Sequence, residues 1–250
     1  MLKHLLPSRR QRPVGPPDVR LYAIGDVHGR ADLLDDLIRR IDEDPAEKPK
    51  RLIFLGDYVD RGSSSAAVID RLLAISTAGR DAVFLKGNHE AAMLDFLDAP
   101  MENFAWLDWG GEATLESYGV DLDPRRTAAD MGAELRGKVP AAHLTFLRNL
   151  AITHEEGDYF FVHAGVRPGT PLNEQTEEDL LWIREEFHAA AADQRPDKTV
   201  VHGHHPTRRP VDNGWRIGVD TGAVWTGILT AVVIDGPDRR FIATAGKPSE

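Results

Sequence analysis

Three short apolar runs early in the chain, at 20–24, 51–55 and 82–85, each stop abruptly at a polar loop. They are too short for helices and partly β-branched or aromatic, and a stretch with helical spacing follows each one. This pattern predicts successive buried strands joined by crossover helices, and hence a parallel sheet. Helical spacing then dominates, at 91–97, 104–118, 126–137 and 141–150, with Pro100, Pro124 and Pro140 as breaks, which predicts a helical insertion over about 97–150. Phe104, Trp106 and Trp109 recur at helical spacing and are expected to form its core, the alternative being a base-stacking platform. Strand-like runs return at 151–153, 159–162, 199–201, 215–219, 227–234 and 240–243, many close enough in sequence to pair as hairpins. An early βαβαβ half followed by these strands predicts an α/β protein, a mixed β-sandwich flanked by helices.

The loops that end the apolar runs share a vocabulary: GDVHG at 25–29, GDYVDRG at 56–62, GNHE at 87–90, HAG at 163–165 and HGHH at 202–205. One Gly-Asp pair after a strand marks only a turn. Five strand ends carrying aspartate, asparagine or histidine point instead to convergent ligands, because a parallel sheet gathers the carboxyl ends of its strands. Oxygen and imidazole donors without thiolate suit borderline divalent ions such as manganese, iron or zinc, and a carboxylate such as Asp57 can bridge two of them. Two ions about 3.5–4 Å apart lower the pKa of a shared water and clamp both oxygens of an in-line displacement at phosphorus.

These runs, in this order and spacing, resemble the signature series of the phosphoprotein phosphatases within the calcineurin-like metallophosphoesterases, in particular the prokaryotic serine/threonine phosphatase type. The resemblance runs from about Arg20 to Thr244 and is specific near the motifs, with little to say about 97–150. It implies a four-layer α/β/β/α fold, one metal ion on Asp26, His28 and Asp57, and a second on Asp57, Asn88, His163 and His204. It also implies solvent hydroxide as nucleophile, His89 as acid oriented by Asp60, the alternative being a metal ligand beside Asn88, and Arg61 forking two phosphate oxygens, the alternative being a surface ion pair. A similar LLWIR segment in the prokaryotic branch implies Arg184 as a second phosphate clamp. Within 176–187, Thr176 and Asp179 read as a helix cap, and Leu180, Ile183 and Phe187 as one helical face. A solvated helix arginine is the plainer reading of Arg184. The last ligand run reads GHHP where GHTP is commoner, so His204 takes the matching position and His202 and His205 receive supporting or surface roles. Asp220 either orients a ligand or caps a turn. His4, His143, His154 and His188 have no neighbouring ligand pattern and are given no function. The absence of tyrosine beyond Tyr159 favours a prokaryotic source.

Composition narrows the picture. With 250 residues and 42% hydrophobic content the chain supports one domain with a substantial core. No cysteine is present, which removes disulfides and thiolate ligation and is compatible with the cytoplasm. A net charge of -10 argues against a general nucleic-acid surface, and no apolar run reaches membrane-spanning length. Residues 1–17 carry Lys3, Arg9, Arg10, Arg12 and prolines but no acid, and are expected to be a disordered tail before a single domain over 18–250. The expected activity is a dinuclear phosphatase acting on phosphomonoesters, foremost phosphoserine or phosphothreonine in proteins, with manganese the first choice of metal. Enzymes that split diadenosine tetraphosphate share nearly the same motifs and form the alternative. A non-catalytic module that binds phosphoproteins is the third reading, disfavoured because the acid and every matched ligand are present.

Overall fold

The computed structural model describes residues 12–245. The early apolar runs are β1 (Arg20–Ile24), β2 (Lys50–Phe54) and β3 (Ala82–Phe84), paired in parallel and joined by α1 (Ala31–Glu43) and α2 (Ser65–Thr77). α3 (Asn88–Asp98) follows β3, and the insertion then carries a π-helical turn (Leu107–Gly111), α4 (Glu112–Ser117), α5 (Ala128–Lys138) and α6 (Ala141–Arg148). Beyond it lie β4 (Thr153–Glu156), β5 (Tyr159–Val162), α7 (Glu177–Trp182), α8 (Glu185–His188), β6 (Thr199–His202), β7 (Val211–Asp212), β8 (Arg216–Gly218), α9 (Ala223–Thr226), β9 (Thr230–Asp235) and β10 (Asp238–Ala243). One sheet runs β10-β9-β1-β2-β3 and the other β4-β5-β6-β8-β7. The two-residue β7, an edge strand antiparallel to β8, is too short to leave a period in the sequence.

Alternation along the strands builds four layers. Leu21 and Ala23 of β1, Ile53 of β2 and Val232 and Ile234 of β9 meet Tyr159, Phe161, Val201 and Ile217 of the other sheet in a core between the sheets. The opposite faces are also covered: Tyr22, Ile24 and Phe54 pack with Leu34, Leu37 and Ile41 of α1 and Val68 and Leu72 of α2. Phe160, Val162 and Val200 pack with Leu180, Ile183 and Phe187. Both faces of the central strands are buried, which is why they read as continuous apolar runs rather than alternating ones. Leu33, Leu34, Leu37 and Ile41 bring one stripe of α1 onto the sheet, each worth roughly 1.5–3 kcal/mol of burial. Among the described residues no helix is long and apolar enough to cross a membrane.

Three expectations are corrected. Of the aromatics assigned to the core of the insertion, Trp106 is buried, but Trp109 and Phe104 are 43% and 57% exposed. Phe104 precedes the helix, and the wider π-turn, with Gly110 at φ 107°, rotates Trp109 off the face that α-helical spacing would give it. The segment 176–187 is not one helix, because it breaks at Ile183 and Arg184, the latter at φ -131°, ψ -101°. The break keeps Ile183 and Phe187 in the apolar layer with Leu180 and leaves Arg184 exposed between two short helices. Of the tail expected over 1–17, Lys3, His4, Arg9 and Arg10 lie outside the described residues. Its last part is tied to the body: Val14 N–H donates to Asp158 Oδ2 at 2.8 Å and Gly15 N–H to the Gly236 carbonyl at 2.8 Å.

Candidate active site and metal centre

Each sheet contributes three parallel strands whose carboxyl ends open on one place. Asp26 follows β1, Asp57 follows β2 and Asn88 follows β3, while His163 follows β5, His204 follows β6 and Asp220 follows β8. All six are buried, as is His28. His163 Nε2 lies 2.9 Å from Asn88 Oδ1, 3.1 Å from His204 Nδ1 and 3.4 Å from Asp57 Oδ1. On the other side Asp57 Oδ2 lies 3.5 Å from His28 Nε2. The two carboxylate oxygens of Asp57 therefore face two separate groups of donors, His28 with His89 and His163 with His204. Asp26 accepts the His204 backbone N–H at 3.1 Å on either oxygen, which ties the first sheet to the second.

The loops that achieve this are strained. Among the described residues the non-glycine positions with positive φ are His28, Asp57, Asp60, Arg61 and His204, and every one belongs to this site. Such backbone costs of order 1–3 kcal/mol at each residue and persists where the surroundings impose it. Crowding explains the neighbouring glycines: a Cβ on Gly87 would collide with Asp57 Oδ1, and one on Gly203 with Asp26 Oδ1.

The donor chemistry fits divalent ions. His163 Nδ1–H donates to the Leu55 carbonyl at 2.9 Å and His28 Nδ1–H to that of Val59 at 2.8 Å, so each Nε2 presents a lone pair to the centre. Burial pushes His28 down to about 3 and His204 to about 2, which keeps both imidazoles neutral as ligands must be. His204 Nε2 is buried without a partner. Burial, then the charges of Asp220 and Asp57, push Asp26 well above the carboxylate range, and burial and Asp57 push Asp220 up to about 6. Neutral imidazoles, an amide oxygen and crowded buried carboxylates form a set that a cation satisfies.

Beside it stands a histidine held by a buried carboxylate. His89 Nδ1–H donates to Asp60 Oδ2 at 2.6 Å, and the ring's Nε2 faces Arg61 Nη2 at 2.9 Å. Burial lowers the His89 pKa, but Asp57 and Asp60 outweigh it and hold the value above the ordinary one. Asp60 is fully buried and is held from the insertion, by Trp106 Nε1–H at 2.7 Å and Thr114 Oγ1–H at 2.7 Å. Arg61 Nη1 also donates to His28 Nε2 at 2.6 Å, so the guanidinium is the positive charge these lone pairs face. Its backbone N–H donates to the Gly110 carbonyl at 3.0 Å, which pins the glycine pair of the insertion against the site. Arg184 stands apart as an exposed side chain, yet near enough that its positive charge depresses His163 and His204.

Sequence reading assigned no part to Glu90. Its two oxygens accept four backbone N–H groups: Asp57 at 2.8 Å, Tyr58 at 2.7 Å, Val59 at 3.2 Å and Gly87 at 2.9 Å. Burial and the charge of Asp57 push Glu90 up to about 7, but four converging donors favour the anion. One buried carboxylate thus shapes the loops of both Asp57 and Asn88. The available signal was its place three residues past Gly87 at a helix start, where a side chain caps backbone N–H groups. Trp106 and Thr114 left no signal, since nothing local ties them to Asp60.

The remaining histidines are structural or peripheral. His202 Nδ1–H donates to Gly203 O at 2.9 Å, while Arg216 Nη1 lies 3.2 Å from its Nε2. His205 packs edge-on against His188 at 4.3 Å. His143 bridges Tyr118 and Asp70, and His154 pairs with Glu156.

Comparison with known proteins places this geometry. Residues 19–225 match the calcineurin-like phosphoesterases. The bis(5'-nucleosyl)-tetraphosphatase PrpE (asymmetrical) of Halalkalibacterium halodurans is 29% identical over 238 residues, 88% of this chain and 91% of the relative. The symmetrical bis(5'-nucleosyl)-tetraphosphatase of Dechloromonas aromatica is 35% identical over 147 residues, 59% of this chain and 44% of the relative. A crystal structure provisionally named a diadenosine tetraphosphatase superposes with a TM-score of 0.60 at 23% identity, covering 91% of this chain and 98% of the other. A protein serine/threonine phosphatase from Saccharomyces cerevisiae superposes at 0.57 with 15% identity, covering 94% and 81%. At these identities the two structures speak for the fold alone.

Proposed function

Because the chain belongs to the calcineurin-like phosphoesterase family, we propose that it hydrolyses dinucleoside polyphosphates at a dinuclear metal centre. The order of the two substrate readings drawn from the motifs is thereby reversed. The observation that carries this choice is the match to a bis(5'-nucleosyl)-tetraphosphatase along 88% of the chain and 91% of the relative. Hydrolysis of phosphoserine or phosphothreonine stands second, supported by the motif resemblance.

In this reading Asp26, His28 and Asp57 would hold one ion and Asp57, Asn88, His163 and His204 the other, with manganese the first choice among the divalent ions that mixed oxygen and imidazole donors suit. When bound, the ions would supply Lewis-acid charge for the phosphoryl oxygens and lower the pKa of water. The chain's own residues do the rest. Arg61 forks two phosphoryl oxygens, moving its guanidinium from His28 and His89 onto the substrate. Arg184 approaches from the opposite sheet as a second cation. His89 protonates the leaving oxygen, its ring fixed by Asp60 and its cationic form favoured by the two carboxylates. Positioned charges of this kind are what phosphoryl transfer chiefly requires.

The test is a rate comparison on metal-reconstituted protein among diadenosine tetraphosphate, a phosphoserine peptide and nitrophenyl phosphate. The dinucleotide is expected to give the highest kcat/KM. A clear preference for the phosphopeptide would overturn the proposal.

A further inference from the structure

Several large apolar side chains stand exposed, and three of them are tryptophans near the site: Trp225 at 55%, Trp109 at 43% and Trp182 at 37%. Exposed indoles are unfavourable unless they meet something, and a cluster of them marks a binding surface. Trp225 is the outward member of α9, whose Ala223 and Val224 are buried. One face of its ring lies under Arg61 Cζ, 5.2 Å from the centroid. The helix is anchored by Arg30 Nη1, which donates to the Ala223 carbonyl at 3.3 Å.

A second aromatic station sits beyond the backbone of Arg61. Trp109 precedes Gly110, whose carbonyl accepts the Arg61 backbone N–H, and its ring meets Trp182 edge-to-face at 5.5 Å and 68°. Trp182 in turn lies two residues before Arg184. Each station is thus joined to an arginine that the proposed function gives to the phosphates.

Resting on that function, we propose that Trp225 and the Trp109–Trp182 pair are the two nucleobase platforms of the enzyme. A base stacked on the outer face of Trp225 would form a sandwich with Arg61, and the phosphate chain would run from there across the buried carboxylates and histidines. A dinucleoside polyphosphate carries two flat bases, and the rim offers two aromatic stations. Base-on-aromatic stacking survives any choice of base because every base has a π-face, so these platforms select nucleotides over other phosphates without reading the base.

The test compares Trp225→Ala, Trp225→Phe and Trp109→Ala with the parent protein, metal-reconstituted, using KM for diadenosine tetraphosphate and the inhibition constant of inorganic tripolyphosphate, a base-free competitor. Each alanine variant is expected to raise KM for the dinucleotide on the order of tenfold more than it weakens tripolyphosphate, with Trp225→Phe recovering most of the loss. Equal weakening of both ligands would mean that Trp225 only supports Arg61, and no change would mean that it touches nothing; either overturns the platforms. These outcomes differ from failure of the proposed function, which would appear in the unsubstituted protein as a preference for the phosphopeptide and would remove the platforms with it.

Discussion

The indole N–H of Trp106 lies 2.7 Å from Asp60 Oδ2, the same oxygen that receives the Nδ1–H of His89. The helical insertion therefore helps to hold His89, the proposed proton donor. Hydrogen bonds to charged groups contribute roughly 1.5–3 kcal/mol, so Trp106→Phe should lower kcat by about tenfold while leaving KM near its original value. Steady-state kinetics would decide, and an unchanged kcat would remove the indole from the mechanism.

His89 as proton donor matters most when the leaving group is poor. For His89→Ala we expect a loss of about 10²–10⁴ in kcat on a phosphoserine peptide, and a much smaller one on nitrophenyl phosphate, whose leaving group needs little protonation. Equal losses on both substrates would assign His89 to metal or phosphate binding instead.

Asp57 presents one oxygen to each group of imidazoles. Replacement by asparagine removes the bridging charge, so Asp57→Asn should lose both ions, whereas Asn88→Ala should weaken mainly the one near His163. Elemental analysis after chelation and reconstitution gives the stoichiometry. A full complement of ions in Asp57→Asn would contradict the bridge.

Glu90 accepts from four backbone N–H groups, and glutamine offers one acceptor oxygen and an amide that clashes with the other donors. At about 1–3 kcal/mol for an unsatisfied buried donor, Glu90→Gln should lower Tm by several degrees and weaken metal binding. Thermal melts with and without metal should both shift. Unchanged melts would mean that the loops hold their shape without the carboxylate.

Acid sensitivity is expected away from the site. Asp44 is drawn up by burial, but Tyr22 O–H at 2.6 Å and the guanidinium of Arg240 outweigh this and hold it below its ordinary 3.8. A carboxylate depressed in the folded state contributes stability that is complete above the unfolded value and disappears as pH falls through the folded one. The contribution, roughly 1 kcal/mol given the partial exposure of Arg240, should therefore fade below about pH 4. Asp44→Asn should flatten that part of the stability curve measured by denaturant titration, and an unaltered curve would exclude the linkage.

Much of this was legible along the chain. Asp26, His28, Asp57, Asn88, His163 and His204 stand out because a buried strand followed by a tight loop is a local signal, and a parallel sheet turns local signals into one place. Trp109 was misread because a π-turn changes the period that the reading assumed, and 176–187 because the helix yields to the packing of Ile183 and Phe187. Trp106 and Thr114 were missed since Asp60 lies 46 and 54 residues away and no short motif links a side chain to a distant loop, while three of the four partners of Glu90 lie 31 to 33 residues away and only Gly87 is local.

The order of apolar runs and polar loops by itself determined the layered sheets, the candidate donor set and the kind of chemistry, because strand burial and metal affinity depend on residue type and short spacing. Only the tertiary structure decided which side chains hold the ligands in place, where Arg61 points and which tryptophans reach solvent. Those depend on contacts between segments far apart in the chain, formed once both sheets close on their common core.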